Sequence, residues 1–304
     1  MDAMFEGFII DLDGTVYRGR RAIEGAAEAI ARLKRMGKRV VFLSNRGNYS
    51  REMCAAKLRG MGVEAREEEI VLSSTVAALY LKRNHPRDAV WTLGDEGLRD
   101  ELRVHGVSLA AKPEEAEWLL ITLHETLTYR DLNEAFRAVR HGARILATNA
   151  DRSFPGDDGE AIDVAGMIGA IEAATGRKAE VVIGKPSRLM AEAALEALGL
   201  PAERCLVVGD SLASDIAMGR QAGIAAALML TGSVSREEAE AAGPALRPDW
   251  IWSSLAELPL WLEQGIEAAG GQSANDSVSD SANGNPITGK DINGASLEEG
   301  IAKI

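Results

Sequence analysis

The sequence predicts an α/β protein in which a doubly wound parallel-sheet core is interrupted by an inserted second α/β domain. Three observations carry that reading. Short β-branched runs alternate with longer helical patterns, the alternation recurs at both ends of a 304-residue chain, and residues 80–181 separate the two stretches.

In order, residues 8–12 read as a strand, 24–36 as a helix, 39–43 as a strand and 50–61 as a helix. Near the end, residues 180–183 and 205–208 read as strands, followed by helical patterns over 189–198 and 216–222. These segments are assigned to one sheet. Between them, residues 89–93, 118–122 and 144–147 are strand candidates, with a helix over 129–140. The expected organisation is therefore 1–79 and 182–265 as the two parts of the core and 80–181 as the insertion, since a single layer that large would be unusual. After Gly265 the chain turns to Gly, Ser, Asn and Asp, so 266–304 is expected to be a disordered tail.

The composition, 46% hydrophobic and 26% charged, is that of a globular protein with a sizeable core. No apolar run approaches the roughly 20 residues that a membrane helix needs. Asp2 and Glu6 precede a strand-like run at once, unlike the basic and then apolar layout of a secretory signal, so a cytoplasmic protein is expected. The net charge of -12 opposes general binding to nucleic acid or anionic lipid. Cys54 and Cys205 form no metal or redox motif and read as buried small hydrophobes.

The first chemical signal is Asp11-Leu12-Asp13-Gly14-Thr15, directly after the apolar run Phe8-Ile9-Ile10. Ligands of open parallel sheets gather beyond the carboxyl ends of the strands, so both carboxylates would face a crevice. An Asp-Gly pair alone could equally be a turn that caps a helix. A second acidic pair, Asp210 and Asp215 in Gly209-Asp210-Ser211-Leu212-Ala213-Ser214-Asp215, follows another apolar strand and shifts the balance. Asp11 and Asp210 with a backbone carbonyl suit a hard cation such as Mg2+, which prefers oxygen ligands. Ser44-Asn45 and Lys185-Pro186 follow two more strand candidates and offer a hydroxyl and an ammonium for phosphate. Singly, Ser44 could be a helix cap and Lys185 a surface charge. Their occurrence in order at successive strand ends favours one functional site.

With these motifs the sequence resembles the haloacid dehalogenase superfamily, whose four motifs match DLDGT, the Ser44 strand end, Lys185 and GDSLASD. The long insertion is similar to that of the subgroup with a large α/β cap. Over roughly residues 5 to 265, strings such as FLSNRGNYSR, ATNADRSFP and AIDVAGMIGAIEAATG resemble the sugar-phosphate phosphatases encoded in bacterial arabinose operons. The resemblance implies a hydrolase core and cap, an Mg2+-dependent phosphatase acting on small phosphomonoesters, and compatibility with a homodimer. It implies Asp11 as nucleophile forming an aspartyl-phosphate and Asp13 as acid and base. Asp11, Asp210 and the Asp13 carbonyl would hold Mg2+, while Ser44, Asn45 and Lys185, with Asp13, would contact the substrate. Thr15 and Asp215 would support them, and Asn149 and Asp151 would fall in a cap region that chooses the leaving group. Where more distant members carry a second asparagine this chain has Arg46, for which the resemblance implies no role.

A phosphoglycolate or nucleotide phosphatase of the same subgroup is the alternative expectation. A dehalogenase would share the nucleophile without needing a metal, but Asp13 and the pair Asp210/Asp215 favour phosphate. A nucleotide-binding module lacks its phosphate cradle, since neither a Gly-x-Gly-x-x-Gly after the first strand nor a phosphate loop occurs.

Overall fold

The computed structural model describes residues 5–156 and 159–264, so the expected disordered tail lies outside the described residues. In chain order the strands of its two larger sheets are β1 (Gly7–Asp11), β2 (Arg39–Ser44), β3 (Ile70–Leu72), β4 (Val90–Leu93), β5 (Trp118–Ile121), β6 (Arg144–Ala147), β7 (Ala179–Val182), β8 (Cys205–Gly209), β9 (Ala225–Met229) and β10 (Trp250–Trp252). The larger sheet runs β10-β9-β8-β1-β2-β3 and the smaller β7-β6-β5-β4. Every pairing in both is parallel.

The larger sheet is doubly wound about β1. The chain leaves β1 for β2 and β3 on one side and later returns for β8, β9 and β10 on the other, so the strand order reverses there. Register aligns the strand ends at that point, with Asp11 opposite Leu43 and Ile10 opposite Val208. Side chains that emerge after β1, β2 and β8 therefore meet.

Both faces of the core strands are covered, which is why they read as continuous apolar runs. On one face Phe8, Ile10 and Phe42 pack with Ile30 and Leu33 of the helix Ala26–Arg35, whose buried residues Ala26, Ala29, Ile30 and Leu33 follow helical spacing. On the other, Ile9, Val41 and Val207 pack with the helices Ser73–Asn84 and Arg188–Leu198. Beyond those helices the same apolar cluster continues into Val90, Trp118, Leu120 and Leu146 of the smaller sheet. Ser50 caps the helix Arg51–Gly60 by accepting from the Met53 N–H, at the start expected from sequence.

One expected placement is overturned. The strand before Lys185, expected in the core sheet, is β7 and pairs with β6 in the smaller sheet. In the core, β1 is already flanked by β2 and β8, and the half-exposed alternation of β7 suits an edge rather than a buried centre. Lys185 thus reaches the core site from the connection leaving the smaller sheet. Sequence reasoning also missed β3, β9 and β10. Runs of three residues show no period, and the alanine-rich Ala225–Met229 has weak strand propensity.

Among the described residues no helix is long and apolar enough to cross a membrane. Cys54 and Cys205 are buried, and burial pushes the first thiol up to about 12 and the second to about 11.

Candidate active site

Asp11, Asp13, Ser44, Lys185 and Asp210 line one cavity of about 750 Å³. Asn149 and Asp151, which follow β6, line the same cavity.

At its floor the buried Lys185 ammonium donates to Asp11 Oδ1 at 2.5 Å and to Asp215 Oδ1 at 2.7 Å. Burial lowers the pKa of an ammonium, but the Asp11 and Asp215 carboxylates outweigh it and hold Lys185 charged. Asp215 is engaged at its second oxygen too, accepting from the Ser211 N–H at 3.1 Å, so its carboxylate aims the lysine. Asp11 is raised well above the usual carboxylate range by burial, which Lys185 only partly offsets, and by Asp215 and Asp210. Asp210 is pushed up to about 7, by burial first and then by Asp215.

Three acidic groups therefore crowd around one ammonium. Oxygens of Asp11, Asp210 and Asp215 lie within 4.8 Å of one another, and Asp11 Oδ2 is buried with no hydrogen-bond partner. An orphaned carboxylate oxygen among repelling neighbours fits a divalent cation with oxygen ligands. Two glycines shape the place of Asp210. A Cβ on Gly14, whose φ is +88°, or on Gly232 would each come within 2.1 Å of Asp210 Oδ2. Arg18 pins the second of these turns by donating to the Thr231 carbonyl.

Ser44 is buried, and its Oγ accepts from the Arg46 N–H at 3.2 Å. Asn45 uses both ends of its amide on protein partners: Oδ1 accepts from the Lys185 N–H at 2.7 Å, and Nδ2 donates to Asp151 Oδ2 at 2.9 Å. It braces the Lys185 connection against the turn after β6. Asn149 Nδ2 also donates to Asp151 Oδ2, at 2.8 Å. Thr15 is fully buried with its hydroxyl unpartnered. Asp13 Oδ2 accepts from Arg46 Nε at 3.0 Å.

Sequence reasoning missed Gly232 and Phe154, left Arg46 without a role, and missed Asp163. A glycine in the turn after an apolar run was the available signal for the first; the others gave none, because their meaning lies in contacts across the fold. Asp163 caps the helix Val164–Thr175, accepting from the Val164 N–H at 2.7 Å, and burial, with Asp151 nearby, raises it to about 6. Its folded pKa lies above the ordinary value, so its contribution to stability is present below about pH 4 and lost as pH rises through about 6. Asp163→Asn keeps a capping side chain and removes the ionisation. It is expected to stabilise by about 1 kcal/mol at pH 7.5, solvent screening allowed for, and to be neutral at pH 4 in paired thermal melts.

A family model described as haloacid dehalogenase-like hydrolase matches residues 8–108, and a second of the same kind matches 182–258. The chain is 56% identical to sugar-phosphatase AraL of Bacillus subtilis over 86% of its own length and 94% of that protein. A p-nitrophenyl phosphatase from Archaeoglobus fulgidus superposes with a TM-score of 0.78 at 35% identity, covering 85% of this chain and 99% of that one. A glycerol phosphate phosphatase from Mycobacterium tuberculosis, solved in complex with magnesium, gives 0.77 at 32% identity over 84% of this chain and 76% of its own. Strand ends meeting about a buried lysine, a capped parallel-sheet core and similarity over three quarters or more of each of these proteins agree: the chain belongs to the phosphatases of the haloacid dehalogenase-like hydrolase family.

Proposed function

We propose that the chain is a Mg2+-dependent phosphatase that hydrolyses sugar phosphates and related small phosphomonoesters through an aspartyl-phosphate on Asp11. The observation that carries this is the Lys185 ammonium bridging Asp11 and Asp215 beneath an orphaned oxygen of Asp11. The high identity to a sugar phosphatase supports the substrate class.

Asp11 attacks phosphorus, and the bond from phosphorus to the ester oxygen breaks as Asp13 gives that oxygen a proton. Water then attacks the aspartyl-phosphate while Asp13 takes its proton back, releasing phosphate and restoring Asp11. Lys185 and the Ser44 hydroxyl hold the phosphoryl oxygens, and positioning of this kind dominates phosphoryl transfer. Asn45 keeps the Lys185 connection in place, and Asp215 keeps the ammonium aimed. Asp11, Asp210 and the Asp13 carbonyl would hold Mg2+, which supplies charge neutralisation to the transferring group. Asn149, buried and held by Thr148, braces Asp151 at the cavity wall where the leaving group would sit. The same reading takes the protein as cytoplasmic, with a homodimer as its candidate assembly.

Chelation is expected to lower turnover of nitrophenyl and pentose phosphates by at least about 10²-fold, because the transferring phosphoryl group then loses its charge neutralisation. Added Mg2+ should restore turnover and raise the melting temperature of the wild type, and Asp210→Asn should blunt both responses. Full turnover in metal-free buffer would remove Mg2+ from the proposal. A phosphate-release screen that ranked phosphoglycolate or nucleotides well above pentose and hexose phosphates would replace the substrate class.

A further inference from the structure

We propose that Arg46 is a positioning residue that holds the Asp13 carboxylate for proton transfer, and that the cap hairpin holds Arg46 in turn through Phe154. The inference rests on the reading of Asp13 as acid and base.

The Arg46 side chain is only 14% exposed, and its partners lie on elements far apart in the chain. Nε donates to Asp13 Oδ2 at 3.0 Å, on the turn after β1. Cζ lies 4.6 Å from the centroid of the Phe154 ring, on the Ser153–Gly156/Gly159–Ile162 hairpin, and 5.9 Å from that of Tyr49. At the rim one terminal nitrogen lies 3.8 Å from Glu125. The backbone N–H of the same residue donates to Ser44 Oγ. Arg46 thus links the acid/base turn, the phosphate-holding hydroxyl and the cap hairpin.

Asp13 benefits from such a brace. Its side chain is 28% exposed on a turn, where a carboxylate can choose among rotamers. A general acid works only within about 2.6–3.2 Å of the oxygen it protonates, and an error of about 1 Å can cost about 10²-fold. A guanidinium is suited to the task because it donates along its edge while stacking by its face. The lysine ammonium can do one or the other. Through Arg46, Phe154 of the hairpin and the proposed proton donor Asp13 lie in one chain of contacts.

The test compares Arg46→Gln, Arg46→Lys and Phe154→Ala with Asp13→Asn by rapid-quench measurement of Asp11 phosphorylation. Each is given a pentose phosphate, whose alkoxide needs a proton, and nitrophenyl phosphate, whose leaving group does not. Arg46→Gln should slow phosphorylation by the sugar phosphate about 10- to 100-fold and by nitrophenyl phosphate less than about 5-fold, with KM changed less than about 3-fold. Arg46→Lys should recover only part of the loss. Phe154→Ala should show the same selectivity at smaller amplitude, without removing a charge from the core. Equal losses with both leaving groups, or a loss confined to KM, would overturn the inference, the latter by making Arg46 a substrate-binding group. If Asp13→Asn itself lacks leaving-group selectivity, the acid/base reading falls and takes this inference with it. If Asp13→Asn is selective and Arg46→Gln is not, only the role of Arg46 falls.

Discussion

Asp11→Asn is expected to abolish phosphoenzyme for every substrate and to lower turnover on the order of 10⁴- to 10⁶-fold, as removal of a nucleophile does elsewhere. The amide is a poor nucleophile, and Asp13, the other carboxylate on the same turn, is held toward Arg46. The loss should come without loss of fold. Burial raises the pKa of Asp11, so in the metal-free protein its stability contribution is present at low pH and is lost as pH rises through the raised value. A neutral amide of the same shape can still accept from Lys185 and avoids that penalty. Metal-free Asp11→Asn should therefore melt no lower than the wild type at pH 7. Quench-flow with labelled substrate and a thermal melt check both halves; a phosphorylated variant would overturn the nucleophile assignment.

Lys185→Met is expected to fail in the opposite way, losing fold stability and chemistry together. Removing the ammonium leaves Asp11 and Asp215 buried without the charge that they share. Breaking a buried ion pair from one side typically costs about 3–5 kcal/mol. Turnover should fall by about 10² to 10³, the usual cost of removing one electrostatic contact to a transition state. If the acidic cluster also holds a cation, millimolar Mg2+ should recover part of the lost melting temperature without recovering turnover. A variant that melts like the wild type in metal-free buffer would show that the lysine is not needed to hold these carboxylates together.

The parts of this site that were legible in the sequence are those where composition and position coincide. Phe8-Ile9-Ile10 before Asp11 and Leu206-Val207-Val208 before Asp210 are strands buried on both faces, and the acid that follows each has one place to go, beyond the carboxyl end. Val181-Val182-Ile183 before Lys185 carries a similar apolar signal but ends an edge strand of the other sheet, because local hydrophobicity does not say which sheet a strand joins. For Asn45 the resemblance implies a substrate contact, and what the sequence did not announce is that its amide joins Lys185 to Asp151. The pairing of Arg46 with Phe154 and the press of Gly232 on Asp210 join distant segments, and no local pattern announces such contacts.

The apolar cluster that runs from Ile9 and Val41 through the helices Ser73–Asn84 and Arg188–Leu198 into Trp118 and Leu120 ties the stability of one sheet to the presence of the other. Here the two sheets share one filling, and stripping the inserted layer would uncover the outer faces of the helices that cover the catalytic sheet. A graft that replaced the smaller sheet would therefore have to supply new apolar partners for those helices before the sheet beneath Asp11 could keep its packing.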